Sequence, residues 1–140
     1  MIGLDTNVIV RYVTQDEPRQ AKIAERAIEQ AVSRGEKFLV QPLILCELVW
    51  VLESAYGYQK NAIIPVLEQI LRTARFEIVD KDIVRRALDD FKEDGADFAD
   101  YLIGRANERD GVQTTLTFDK SLRGCRQFTV LQSAKIVKDT

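Results

Sequence analysis

The chain has 140 residues, 46% of them hydrophobic and 30% charged, with a formal net charge of −2. That is the make-up of one soluble globular domain, residues 1–140, long enough to bury a core, and it excludes a protein held on nucleic acid by bulk positive charge. The absence of histidine removes His-based acid–base catalysis, Ser-His-Asp triads and histidine-ligated zinc. An enzyme built from this chain works with carboxylates, hydroxyls, lysine, arginine or a metal held by oxygen. Cys46 and Cys125 are two distant thiols, neither a disulfide framework nor a metal-ligand pair. The longest apolar stretch, Leu43 to Leu52, is broken by Glu47 and too short to span a bilayer. Functional residues beginning at Asp5 leave no room for a signal peptide, so a cytoplasmic protein without membrane association is expected.

Met1 to Leu4 reads as a buried strand that ends abruptly in Asp5-Thr6-Asn7, and Thr6 to Val13 as a short helix. Asp16-Glu17-Pro18 signals a helix start, with proline in the first turn. Ala21, Ala24, Ala27, Ile28, Ala31 and Val32 then mark one face at helical spacing until Gly35 stops the pattern. Phe38-Leu39-Val40 is a second strand. Pro42 opens a helix that runs past Trp50 to about Tyr56, where Gly57 breaks it. Ile63, Leu67, Ile70 and Leu71 mark the next helix, with Pro65 expected in its first turn.

Phe76 to Val79 is a third strand, followed by a helix carrying Val84, Ala87, Leu88 and Phe91 that Asp80 or Asp82 caps and Gly95 ends. Phe98 to Glu108 is a further helix, with Ala99, Leu102, Ile103 and Ala106 expected inward. Gln113 to Phe118 is a threonine-rich strand, and Phe128 to Leu131 the last. Strands alternating with helices predict a parallel sheet covered on both faces, with right-handed crossovers.

Four acids stand out by context. Asp5 ends the first strand, at the edge where parallel sheets bind ligands, although Asp5 or Thr6 would also serve as a helix cap. Glu47 interrupts an otherwise apolar helix, where a lone acid is costly unless it is paired or lies on a solvent-facing stripe. Asp97 and Asp100 share a helix face at i and i+3; capping accounts for Asp97 but not for Asp100, which lies further in. Asp119 follows Thr117 and Phe118 at the end of the fourth strand, where a turn residue is also at home. Acids gathered at one sheet edge repel, and a divalent cation relieves this; oxygen-only ligation suits Mg²⁺ or Mn²⁺. Such an ion polarises a phosphodiester and lowers the pKa of a bound water. Setting these four aside leaves 18 of the 22 acids against 20 bases. Arg11, Lys60, Arg105, Lys120, Arg123 and Arg126 are then candidates for phosphate contacts, beside the plainer reading of each as an ordinary surface charge.

Asp5-Thr6-Asn7 after a short strand, Glu47 in the third helix, Asp97-Phe-Ala-Asp100-Tyr-Leu-Ile-Gly, and Thr117-Phe-Asp119 together resemble the PIN-domain ribonucleases. Within them the chain is most similar to the VapC-type toxins of toxin–antitoxin pairs, over its whole length and in order. The resemblance implies a three-layer α/β/α sandwich with a parallel sheet of about five short strands. It also implies RNA cleavage dependent on Mg²⁺ or Mn²⁺ that leaves 5′-phosphate ends, a homodimer, and a VapB-like antitoxin that inserts a segment into the active-site groove. Carried over by position, Asp5, Glu47, Asp100 and Asp119 form an acidic quartet, with Asp5 and Asp100 as direct metal ligands. Asp97 is an auxiliary acid, and Asn7 and Thr117 match polar positions that orient the acids. Lys120-Ser-Leu-Arg-Gly departs from the usual sequence after the last acid.

Two other readings share the acid cluster. In a receiver-like signalling domain an aspartate at a strand end is phosphorylated, but Asp5 has no second acid beside it, and Asn7 stands where a haloacid-dehalogenase-type phosphatase has its second aspartate. A catalytically inactive PIN-fold binding module would not need four acids in register. The apolar run Leu43–Leu52 and the helix Ala21–Val32 are further expected to line a groove for an amphipathic partner segment.

Overall fold

A computed structural model describes residues 1–132. The last eight residues of the expected 1–140 domain lie outside that range. By its internal contacts the chain divides into two compact units, one of Met1–Lys81 and one from Asp82 onward.

In the first unit, strand β1 (Ile2–Gly3) pairs in parallel with β2 (Phe38–Val40), and β2 pairs in parallel with β3 (Phe76–Ile78). The register sets Ile2 opposite Phe38 and Phe38 opposite Phe76. Helices α1 (Thr6–Thr14), α2 (Pro18–Ser33), α3 (Pro42–Ser54) and α4 (Lys60–Arg72) fill the connections. α1 packs on both α2 and α3, and α3 on α4. The α2 start is the one the sequence signals: Glu17 accepts from the Arg19 and Gln20 amides at 3.3 and 3.1 Å, and Pro18 takes the first helical position. Gly57, at φ 67°, turns the chain after α3, a conformation glycine adopts at no steric cost.

Three expectations in this unit need correction. Ala27 faces solvent, so the buried face of α2 is Ala21, Ala24, Ile28 and Ala31 alone. Pro65 is not in a first turn but inside α4, because that helix begins at Lys60; having no N–H, it forgoes one bond of the helical ladder. α3 is not buried all round: Leu45, Leu48, Val49 and Leu52 are inward, while Leu43 and Trp50 are each 67% exposed and share an outward stripe with Glu47. The solvent-facing stripe therefore accounts for an acid in this helix.

In the second unit, α5 (Lys81–Glu93) and α6 (Phe98–Arg109) precede the parallel pair β4 (Thr115–Thr117) and β5 (Phe128–Val130). Phe91 of α5 meets Phe98 of α6 edge-to-face, with ring centroids 6.0 Å apart. Bidentate bonds from Arg105 to Asp90, at 2.8 and 2.9 Å, tie the same two helices. The inward face of α6 is Phe98, Tyr101, Leu102 and Gly104, and Ile103 is half exposed rather than inward. The face is rotated because Tyr101 can go in: its hydroxyl accepts the Ala96 amide at 3.0 Å, which satisfies the polar end of a buried ring. Gly104 is where β5 comes closest, since a Cβ there would lie 2.5 Å from the Phe128 ring. Among the described residues, all five strands pair in parallel, three in one sheet and two in another, and no helix is long and apolar enough to cross a membrane.

Candidate functional site

In the first unit the chain leaves β1 in extended conformation at Asp5, whose carboxylate accepts the Thr6 amide at 2.7 Å and caps α1. Thr6 is buried, and its hydroxyl donates to Glu47 Oε1 at 3.0 Å. That bond joins the start of α1 to α3 and fixes Glu47 relative to the strand end. Nothing in the sequence marked Thr6 for this; its partner lies 41 residues away. Asn7 is exposed and lines a cavity of about 410 Å³ between α1 and α2, with Arg11, Gln20 and Ile23 on its walls. The residues lining this cavity come from α1 and α2, and none comes from α3. Arg11 is not a free phosphate contact: its guanidinium donates to Gln20 at 2.5 Å and to the Tyr56 hydroxyl at 2.8 Å, and pairs with Asp16 at 3.5 Å. Beside Glu47, burial and that carboxylate's charge push the Cys46 thiol up to about 11, so it stays protonated and is no nucleophile near neutrality.

In the second unit, Asp97 occupies the N-cap position of α6 but makes no side-chain capping bond. Its carboxylate is therefore not committed to the helix end. Asp100 sits half-buried in the first turn of the same helix. Its carboxyl is held above the ordinary carboxylate value, first by burial, then by the negative charges of Asp97 and of Asp119. Asp119 leaves β4 and caps the single 3-10 turn Lys120–Leu122, accepting from the Ser121 amide at 2.9 Å and the Ser121 hydroxyl at 2.6 Å. Those two bonds hold its carboxyl below the ordinary value. Thr117 orients the turn from the other side, its hydroxyl accepting the Asp119 amide at 3.1 Å. Asp100 is thus repelled by both Asp97 and Asp119, with Asp119 kept ionised by its own donors. Ser121 is a contributor the sequence did not flag, though a serine two residues after an aspartate is a familiar turn partner.

Two further cations in this unit have structural employment. Arg105 is clamped by Asp90 and also reaches Glu108 at 3.3 Å, while Arg126 pairs with Glu108 at 3.0 Å. Lys120 and Arg123 remain exposed.

The donor chemistry suits a hard divalent cation. The acids offer only oxygen, the donor such an ion prefers. Among the described residues no three acid or thiol side chains converge closely enough to form a ready-made metal cage.

Comparison with known proteins adds two findings. A family model described as PIN domain matches residues 2–125. A VapC ribonuclease of Aquifex aeolicus (strain VF5) is 27% identical over 120 residues, which is 86% of this chain and 88% of the relative.

Proposed function

The chain belongs to the PIN-domain family, and from that premise we propose that it is a Mg²⁺- or Mn²⁺-dependent endoribonuclease, the toxin of a VapBC-type pair. The observation that carries the reading is the group Asp97, Asp100 and Asp119, in which the Asp100 anion is disfavoured first by burial and then by its two acidic neighbours. Like-charge crowding of this kind is a cost to folding and marks a site whose function overrides stability. Likeness to a VapC ribonuclease supports RNA as the substrate class.

In this reading Asp5 and Asp100 hold the ion, and Glu47 and Asp119 complete the quartet. Thr6 orients Glu47 through its hydroxyl, and Ser121 and Thr117 fix Asp119. When bound, the cation supplies charge neutralisation at the phosphodiester. The side chains do the rest. Asp119, kept ionised by Ser121, is suited as an anion to help hold the ion and orient the attacking water. Asp97, free of the helix end, is available to orient that water. Attack in line with the leaving oxygen leaves a 5′-phosphate. The α1–α2 cavity, walled by Ile23, Ala24 and Ala27, suits the apolar face of an antitoxin segment, with an arginine or lysine of that segment reaching Glu47. The single-domain chain acts as a homodimer in the cytoplasm.

The test is incubation of the purified chain with labelled RNA in Mn²⁺, in Mg²⁺ and in chelator. Cleavage with a divalent ion, 5′-phosphate products and none in chelator is the expected result. Metal-independent cleavage, or none under any condition, overturns the reading. Co-expression with the neighbouring reading frame and co-purification tests the antitoxin.

A further inference from the structure

Asp97 has the extended backbone of a helix N-cap, at φ −74° and ψ 149°, and aspartate is among the best caps. Its carboxylate nevertheless gives the first amides of α6 nothing. Something else must then fix the start of this helix, and Tyr101 is placed to do it. The Tyr101 ring is 1% exposed, and its hydroxyl accepts the Ala96 amide at 3.0 Å. From the other side, the Tyr101 amide bonds the Asp97 carbonyl at 3.4 Å, beside the Asp100 amide at 3.1 Å. One residue thus holds the chain on both sides of the Ala96–Asp97 peptide. Ala96 is itself buried, and among the described residues its amide has no other acceptor. Loss of the hydroxyl would leave a buried donor unpaired.

A capping side chain ordinarily does two things: it satisfies an orphan amide and it fixes the entry of the chain into the helix. Here a buried phenol does the second, so the carboxylate is released from the first without loosening the helix start. We propose that Tyr101 is a positioning residue: by anchoring the entrance of α6 in place of a cap, it keeps the Asp97 carboxylate free for the site it shares with Asp100. This rests on the nuclease reading and adds to it a residue that acts through Asp97 alone. Without the hydroxyl the entrance loosens. Asp97 then turns onto the amides of the first turn as an ordinary cap, and its carboxylate leaves the site.

The test is Tyr101→Phe, which keeps the ring and removes the hydroxyl, in a double-mutant cycle with Asp97→Ala. The cycle is read by thermal melts in chelator and by RNA cleavage in Mn²⁺, at a temperature where every chain is folded. Asp97→Ala alone is expected to melt close to wild type, since no capping bond is lost. In the Tyr101→Phe background the same change is expected to lower the melting temperature by a few degrees, since a cap has formed there. In cleavage, Tyr101→Phe is expected to lower kcat about tenfold with KM unchanged, and to lower it no further in the Asp97→Ala chain. Additive effects in either readout, or full kcat in Tyr101→Phe, overturn the proposal. Hydrogen exchange on wild type decides the matter should Tyr101→Phe fail to fold. The Ala96 amide is expected to be protected and the Ala99 amide to exchange freely; a fast Ala96 amide or a protected Ala99 amide overturns the proposal. If wild type cleaves RNA and the cycle is additive, only this inference falls. If wild type cleaves no RNA with any divalent ion, the nuclease reading falls, and the melts still report whether Tyr101 stands in for the cap.

Discussion

Asp5, Asp97 and Asp119 all stand where a helix or turn begins, yet they use the position differently. Asp5 and Asp119 spend a carboxylate oxygen on the backbone, whereas Asp97 does not. This makes Asp5 separable into two roles. Asparagine caps a helix about as well as aspartate but is a poorer ligand for a hard cation. Asp5→Asn should therefore melt within ~0.5 kcal/mol of wild type and lose RNA cleavage, while Asp5→Ala should lose cleavage and about 1 kcal/mol of stability as well. Thermal melts beside cleavage assays check both, and full activity in Asp5→Asn would remove the residue from the site. For Asp100 the sign of the pH effect follows from its raised pKa. The charged form is penalised in the fold, so the wild type pays this cost above the raised folded value and is relieved of it as pH falls through that value towards 3.8. Asp100→Asn should be more stable than wild type near neutrality, with the difference vanishing in acid. Solvent screening of this half-exposed group keeps the gain below about 1 kcal/mol, and added salt should shrink it. Denaturant melts across pH, at low and high salt, measure this.

At the scale of elements, the clamp between α5 and α6 gives a contrasting expectation. Arg105 is held bidentate by Asp90 with both side chains under 20% exposed, so removing Asp90 leaves a largely buried guanidinium with only its 3.3 Å contact to Glu108. Asp90→Ala should cost about 2–3 kcal/mol, and Arg105→Lys should recover only part, because an ammonium lacks the planar fork. RNA cleavage at a permissive temperature should persist in both, whereas a phosphate-binding Arg105 would lose it. Gly104 belongs to the same packing. Gly104→Ala drives a methyl into the Phe128 ring and should cost about 1–3 kcal/mol, partly restored by Phe128→Leu. Much of this level was legible beforehand because local rules decide it. Phe38–Val40, the Glu17-Pro18 start of α2 and the turn at Gly57 came out as read. What local rules could not show was set by distant partners. Tyr101 went inward in place of Ile103 because Ala96 offered its hydroxyl a donor. Glu47 found Thr6 across 41 residues, and Arg105 found Asp90 on the preceding helix. The acids themselves were identifiable one by one from their positions after strands and within α6. That Asp100 feels both Asp97 and Asp119 depends on how α6 and β4 are arranged, which spacing does not encode.

For the molecule as a whole, a net charge of −2 means that, on the proposed nuclease reading, RNA affinity must come from a few placed cations and not from a general field. On the same reading, a bound divalent ion should be felt by the entire fold. An ion that binds only the folded chain raises its stability with concentration, so Mn²⁺ should raise the wild-type melting temperature by a few degrees and that of Asp100→Asn much less. Equal shifts in the two proteins would take Asp100 out of the ion's coordination. The parallel pairing has a consequence of another kind, in the order of assembly. Ile2 waits for Phe38, and Phe38 for Phe76, so no hairpin is available to start the sheet. Such non-local pairing folds slowly, because long loops must close before any contact rewards them. On the ribosome, β1 and Asp5 emerge first but cannot be fixed until β2 follows, and the Leu4 amide has no Leu39 carbonyl to bond until then. Helices α1 and α2, which are contiguous and touch, can form before any strand pairs. Pulse-labelled hydrogen exchange should therefore find amides of α2 protected ahead of Leu4, and the acid at the end of β1 among the last groups to be set in place.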